Sequence, residues 1–207
     1  MEKLYKGIHM FQQTFFKKEE EFFRRLSKRQ TPEVLFITCA DARLDPNLIT
    51  QSKPGELFIM RNVGNIIPPQ DALKYKSSVA AGLEFAVLGL KVTDIIVCGH
   101  SNCGAIELLS NDLKQLDGMP HLWEWLQFAA PAKNMSDSYC SQETPDCASR
   151  IMEKENVLVQ LRNIQTYPFV AESLKGGTLF LHGWHYDIGA GEIFAYNPAT
   201  DVFERIG

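Results

Sequence analysis

An α/β fold, with a mainly parallel central β-sheet flanked by helices, is what the sequence predicts, and three observations predict it. Short apolar runs recur at Val34 to Thr38, Leu57 to Met60, Asp94 to Cys98 and Thr178 to Leu181, each the length of a buried strand. Ser77 to Leu90, with helical spacing, separates the second run from the third. Strand, helix, strand in that order calls for crossover connections and hence parallel neighbours. The chain has 207 residues, 45% hydrophobic and 22% charged, and at this length one domain buries roughly 70% of the surface its unfolded form exposes. Disulfides are not needed to hold such a core.

The elements follow in order. Leu4, Ile8, Phe11, Phe15, Phe22 and Leu26 recur at helical offsets, so residues 1–30 read as an arm of one or two amphipathic helices. Phe16 and Phe23 widen its apolar face, which suits packing on a second protomer as well as on the chain's own core. Residues 31–207 read as a single α/β domain. Within the helix from Ser77 to Leu90, Ala80, Leu83, Val87 and Leu90 form the apolar stripe, and Lys91 ends it. Asn134 to Pro145 is polar and without period and reads as a surface loop. Ile151, Leu158, Leu161 and Ile164 resume helical spacing; Glu192 to Tyr196 reads as the last strand, with Asn197-Pro198 turning away from it.

Several function classes are excluded. No stretch approaches the ~18 consecutive apolar residues of a spanning helix, and the start, MEKLYKGIHMFQQ, lacks the apolar run and cleavage site of an export signal. No membrane association is expected. Five cysteines, Cys39, Cys98, Cys103, Cys140 and Cys147, are an odd set suited to reduced thiols in the cytoplasm. The net charge of −4 removes the bulk attraction for nucleic acid. Lys17, Lys18, Arg24, Arg25, Lys28 and Arg29 cluster, but Glu19, Glu20 and Glu21 lie among them, as on a solvated helix face.

Two segments carry chemistry. At the end of the first predicted strand, Cys39, Asp41 and Arg43 stand at alternate positions, which share a face in extended chain. At the end of the third, Gly99 is followed by His100 and, three residues on, Cys103, an offset that brings both side chains to one side of a tight turn entering a helix. If the two strands are neighbours, Cys39, His100 and Cys103 converge at their carboxyl ends, where open α/β sheets place their sites. Two thiolates and one imidazole suit Zn²⁺, and three protein ligands leave the open fourth position of a catalytic zinc. A helix beginning after Cys103 would favour its thiolate. Asp41 can either bind the metal or accept a hydrogen bond from a hydroxide on it; a bidentate Arg43 would hold it off the metal. Without a metal, Asp-x-Arg is usually a structural ion pair.

GHSNCG is not a nucleophile elbow, because Cys103 stands where that motif needs glycine. Asn134-Met135-Ser136 fits a glycosylation pattern only by chance. Cys140 and Cys147, with no histidine nearby, read as free thiols, and Cys98 as a small core residue.

CADAR, then RNVGN, then HSNC sixty-one residues after the first cysteine, resemble the β-class carbonic anhydrases. The resemblance extends through GELFIMRNVGNIIPP, LEFAVLGLKVTDIIVCGHSNCGA, ENVLVQLRNIQTYP and LHGWHYDIGAGEIFAY, nearly the whole chain. It implies one Zn²⁺ per chain on Cys39, His100 and Cys103, with Asp41 and Arg43 as the dyad that orients a zinc-bound hydroxide. That hydroxide would attack CO₂ and give bicarbonate and a proton. Gln30 matches a hydrogen-bond donor to substrate; Phe58, Val63 and Phe85 match the lining of the CO₂ pocket, with Phe85 replacing the usual tyrosine. Ala40 and Ala42 replace the family's serines. Phe36 stands where the bicarbonate-switched subtype carries tryptophan, which points to the plant-like subtype; the end of the chain resembles small bacterial members, including those encoded beside cyanate-degrading enzymes. The resemblance also implies a dimer or higher homo-oligomer with site residues from both chains. His9, His121, His182 and His185 are the proton-shuttle candidates. Two other readings stay open: a zinc-stabilised binding protein on the same fold, and hydrolysis of a CO₂ analogue such as CS₂.

Overall fold

The computed structural model describes residues 1–72, 77–109, 116–139 and 145–207. Helix α1 (Glu2–Met10) runs through a π turn (Phe11–Phe16) towards α2 (Glu20–Leu26). Strand β1 (Val34–Cys39), helix α3 (Pro46–Thr50) and strand β2 (Leu57–Asn62) follow. Then come α4 (Ser78–Glu84), continued by a π turn (Phe85–Leu90), β3 (Asp94–His100) and α5 (Gly104–Glu107). Helices α6 (Pro120–Leu126), α7 (Ala130–Tyr139), α8 (Pro145–Ile164) and α9 (Pro168–Lys175) precede β4 (Phe180–Asp187), β5 (Glu192–Asn197) and β6 (Val202–Arg205).

The six strands form one sheet in the order β2-β1-β3-β4-β5-β6, parallel through β4 and antiparallel beyond. This is the predicted α/β class. Leu35, Phe36 and Ile37 are all fully buried, as expected of an inner parallel strand covered on both faces. Leu35, Ile37, Ile95 and Val97 pack with Leu83, Val87, Val157 and Val170 beneath α4, α8 and α9; Phe36, Ile96 and Cys98 form a smaller cluster on the other face with Trp184. Burial pushes the Cys98 thiol up to about 12, consistent with the inert core residue expected there. Ser77 caps α4, its hydroxyl accepting the Ala80 N–H, and Lys91, at φ 60°, ends that helix where expected.

Three expectations need correction. Asn134 to Pro145 is not a loop: residues 134–139 belong to α7, and Pro145 opens α8; residues 140–144 lie outside the described set. The polar residues there serve helix contacts. Ser136 is buried and donates to the Ala148 carbonyl of α8 at 2.9 Å, and Lys133 pairs with Asp137 one turn on. A polar side chain on the inward face erases the apolar period.

The fourth strand begins at Phe180 and runs to Asp187, not from Thr178 to Leu181. Gly177, at φ 67°, still belongs to the turn before it, while His182 and His185 interrupt the apolar run yet are paired, with Asp94 and Glu153. Glu192 to Tyr196 is a strand but not the last. Asn197–Asp201 turns the chain back into β6, with Asp201 at φ 57°. The free-thiol reading of Cys140 and Cys147 rests on side chains outside those described. Among the described residues no helix is long and apolar enough to cross a membrane.

Two glycines let α8 lie close on the sheet. A Cβ at Gly183 would stand 2.9 Å from Leu161 and 3.0 Å from Val157; one at Gly99 would stand 2.8 Å from Val157 and 3.4 Å from the Glu153 carbonyl. We therefore expect Gly99→Ala to destabilise the fold by about 1–3 kcal/mol through overpacking, read as a lowered urea midpoint. An unchanged midpoint would show that α8 can move aside freely.

Candidate metal centre

Parallel register places the ligands. Thr38 pairs with Cys98 across β1 and β3, so Cys39 ends β1 beside the last turn of β3, which carries on to His100. The chain then turns through Asn102, at φ 54°, a left-handed position that asparagine tolerates. Cys103 follows at the N-cap of α5. Cys39, His100 and Cys103 are buried, and their ligand atoms lie within 4.8 Å of one another.

The geometry fits a tetrahedral metal. The Cys39 and Cys103 sulfurs are 3.9 Å apart; two sulfurs on one tetrahedral zinc stand about 3.8 Å apart, given Zn–S bonds near 2.3 Å. His100 Nδ1 lies 3.0 Å from the Ser101 carbonyl, which fixes the hydrogen on Nδ1 and frees the Nε2 lone pair. Nε2 is buried without a hydrogen-bond partner among the described residues. A buried, unpaired ring nitrogen facing two thiols is a ligand atom in search of a cation.

The thiols share one proton. The hydrogen bond between the two sulfurs pulls the Cys39 thiol down against the cost of burial, as does the Gly64 N–H at 3.4 Å from the sulfur. Cys103 is pushed up correspondingly by its bond to Cys39 and by burial.

Asp41 and Arg43 do not continue β1, which ends at Cys39; they form a turn. The Arg43 main-chain N–H and Nε both donate to Asp41 Oδ1 at 2.9 Å, and Nη2 donates to Oδ2 at 2.7 Å. Arg43 Nη2 also donates to the Asn102 carbonyl at 2.9 Å, tying the first motif to the second. The guanidinium holds the Asp41 carboxyl well below the usual carboxylate range. Asp41 Oδ2 stands 3.8 Å from His100 Nε2, beside the ligand group but not in it.

Of the remaining sequence-predicted residues, one borders this group. Val63 precedes Gly64, whose N–H meets the Cys39 sulfur, and its carbonyl accepts the Trp125 indole N–H at 2.7 Å. Phe58 pairs with Leu35, four positions before the Cys39–Asn62 pair, hence about 13 Å away along the strand. Its ring lies against Phe85, 5.8 Å between centroids, and Gln30 precedes the amino end of β1. Within one chain, Gln30, Phe58 and Phe85 are not gathered at the ligands.

A carbonic anhydrase family model matches residues 34–193. This chain belongs to the β-class carbonic anhydrases. It is 41% identical over 204 residues to a carbonic anhydrase of Synechocystis, covering 98% of this chain and 73% of that one. It is equally close to carbonic anhydrase 1 of Escherichia coli O157:H7, over 98% and 91% of the two chains. Among solved structures, the β-carbonic anhydrase CcaA superposes with a TM-score of 0.94 at 39% identity, over 100% of this chain and 92% of that one. A Coccomyxa β-carbonic anhydrase in complex with acetazolamide superposes at 0.80 and 29% identity, over 92% and 83%. The chain is thus an enzyme of the carbonic anhydrase class, a lyase, on the same α/β fold.

Arg61 escaped the sequence reading. It lies in RNVGN and reaches back to the Cys39, Asp41 and Leu44 carbonyls at 3.1, 2.6 and 2.9 Å, gripping the loop that carries Asp41 and Arg43. A cation at a strand end gives no local sign of such a role. Because lysine lacks the planar fork, Arg61→Lys should lower stability by about 1–2 kcal/mol and speed amide exchange in residues 40–44. Unchanged exchange would remove Arg61 from the loop's support.

Proposed function

We propose that this chain is a zinc-dependent carbonic anhydrase in which Cys39, His100 and Cys103 hold one Zn²⁺ and Asp41 with Arg43 orients the nucleophile. Held by those three residues, Zn²⁺ would supply a bound water acidified into the neutral range, as is established for carbonic anhydrases. The observation that carries the reading is the bidentate Arg43 on Asp41. Both carboxylate oxygens are engaged by Arg43, which keeps Asp41 from closing the site as a fourth ligand.

Asp41, held as an anion, accepts the hydrogen of the attacking water and aims its lone pair. Val63, 42% exposed and next in the chain to Gly64, would supply one apolar wall for CO₂. The new bond joins the water oxygen to the carbon of CO₂; one proton is lost to solvent and bicarbonate leaves. His9, His121, His182 and His185 are the shuttle candidates; His185 is buried against Glu153, away from solvent, whereas His182 is partly exposed and hydrogen-bonded to Asp94.

The rest of the pocket comes from a second copy. Strand β2 is at the sheet edge, and Phe85 is 49% exposed. Two β2 edges related by a two-fold axis run antiparallel, which carries Phe58 at the start of one strand towards Val63 at the end of the other. In this reading residues 1–30 are an arm, laid by its exposed Phe11, Phe15 and Phe16 on the second copy, and residues 31–207 are the catalytic domain. Sordaria macrospora β-carbonic anhydrases of known structure are tetrameric. A homo-oligomer is accordingly the working unit, and the reduced, buried thiols suit the cytoplasm.

Stopped-flow CO₂ hydration with zinc determined on the same sample tests the chemistry. About one zinc per chain is expected, with turnover falling about 10²-fold or more in Asp41→Asn while zinc content holds. Zinc without turnover would leave a metal-stabilised binding protein, and turnover of CS₂ alone would mark the analogue hydrolase.

Mixing tests the shared site. Gln30→Ala and Asp41→Asn chains, each inactive alone, should regain about a quarter of wild-type activity after co-refolding, since half the dimers are mixed and each mixed dimer has one intact site. No recovery would place the whole pocket within one chain.

A further inference from the structure

One charged side chain of α8 reaches the metal centre from behind. We propose that Glu153 is a positioning residue: its buried carboxylate, itself oriented by His185, fixes the main chain of Cys103 and so the direction in which that sulfur points. The inference rests on the zinc site proposed above and concerns a residue outside its ligand set.

Glu153 is 2% exposed and His185 4%. One carboxylate oxygen, Oε1, accepts the Cys103 N–H at 3.1 Å; the other, Oε2, lies 3.1 Å from His185 Nε2. On its carbonyl side Cys103 accepts the N–H groups of Ile106 and Glu107 at 3.0 and 2.9 Å. Its N–H side is held by Glu153. The peptide is thereby pinned at both ends, and a cysteine with a fixed peptide has a fixed Cα–Cβ direction.

A carboxylate taken out of water persists only where both oxygens are bonded, and the apolar neighbours Met152, Val157 and Val159 on the same helix show what mere filling of this layer requires. The fold makes room for it. Gly99 lacks the Cβ that would press on Val157 and the Glu153 carbonyl, and Gly99 is the register partner of His185 and the neighbour of His100. His185 has no other polar contact among the described residues: Nδ1 is buried and unpartnered. Its one hydrogen bond goes to the carboxylate, so what it does is hold Glu153 in place.

The test compares the full chain with Glu153→Ala, Glu153→Gln, Glu153→Asp and Val157→Ala. Each is stripped of metal, titrated with zinc against a chromophoric chelator, and separately loaded with Co²⁺ to read the thiolate-to-metal absorption bands. Glu153→Ala should weaken zinc by about 10–100-fold, the usual effect of removing a group that orients a ligand, and shift the cobalt bands. Glu153→Gln should keep most of the affinity, because its amide oxygen accepts from Cys103 while its NH₂ donates to the other His185 tautomer. Val157→Ala, which thins the packing against Gly99 one turn away, should lower the melting temperature and leave zinc affinity alone.

If Glu153→Ala does not fold, Glu153→Asp, one methylene shorter, should show the loss instead. Wild-type zinc affinity and cobalt bands in the alanine or aspartate variant would overturn the proposal, as would an equal loss in Val157→Ala. A wild-type chain that takes up no zinc would overturn the metal-site reading and this inference with it.

Discussion

The register of two adjacent parallel strands is the constraint on which the metal centre depends. Thr38 stands against Cys98, so Cys39 leaves β1 just as β3 delivers His100, and the donors meet within 4.8 Å. A one-residue slip would send Cys39 to the opposite face of the sheet, against Phe36 and Trp184, and would also turn Leu35 and Ile37 out of the main core. The apolar pattern that buries the strand is therefore the same pattern that aims the ligand. Ligand geometry and core packing cannot be varied separately here.

Helix α8 secures that arrangement with a stripe of polar side chains rather than an apolar one. Asn156 donates to the Gly64 carbonyl, Gln160 accepts from the Ile67 N–H, and Asn163 donates to the Ile67 carbonyl. Beyond its end the Tyr167 hydroxyl donates to the Pro68 carbonyl. With Glu153 at the Cys103 N–H, these residues stand three or four apart and satisfy the backbone of a segment that holds one 3₁₀ turn (Val63–Asn65) and otherwise no regular element. Asn62 closes the same segment on itself, accepting from and donating to the Ile66 main chain. Gly64, at φ 77°, can then turn its N–H towards the Cys39 sulfur. Each amide lost would leave a buried carbonyl or N–H without a partner, so the stripe fixes position more firmly than apolar contact could.

This stripe explains what the sequence did and did not disclose. Ile151, Leu158, Leu161 and Ile164 disclosed a helix, and the three ligands with Asp41 and Arg43 were legible because their residue types are chosen by chemistry and their spacing by strand ends. Glu153, Asn156, Gln160 and Arg61 were not. Their partners are main-chain groups far along the chain, and a backbone carbonyl has no letter in a sequence. The same reason hid α7, where Ser136 points inward at the Ala148 carbonyl, and the length of β4, where His182 and His185 are paired with carboxylates. Polar residues used inside a fold look like solvent-facing ones until the fold is seen.

The placement of the aromatic residues divides the site in two. One chain brings together by itself the three donors, the Asp41–Arg43 pair and the Glu153–His185 pair. It does not bring the proposed apolar lining to them, since Phe58 lies about 13 Å back along the edge strand β2 and the Phe85 ring packs against Phe58. Charge and apolar surface obey different rules in this respect. A metal-ligand cluster needs fixed angles, which strand register and buried hydrogen bonds supply locally. A pocket for a small uncharged molecule needs only that water be displaced, and the surface a dimer buries does that without further cost to the fold. Phe85 is 49% exposed in the single chain, a liability there, and in the proposed pair it would become a wall of the pocket. Under the proposed two-fold pairing, association would do two things at once: cover the aromatic edge and complete the substrate site, which would link the stability of the assembly to its activity.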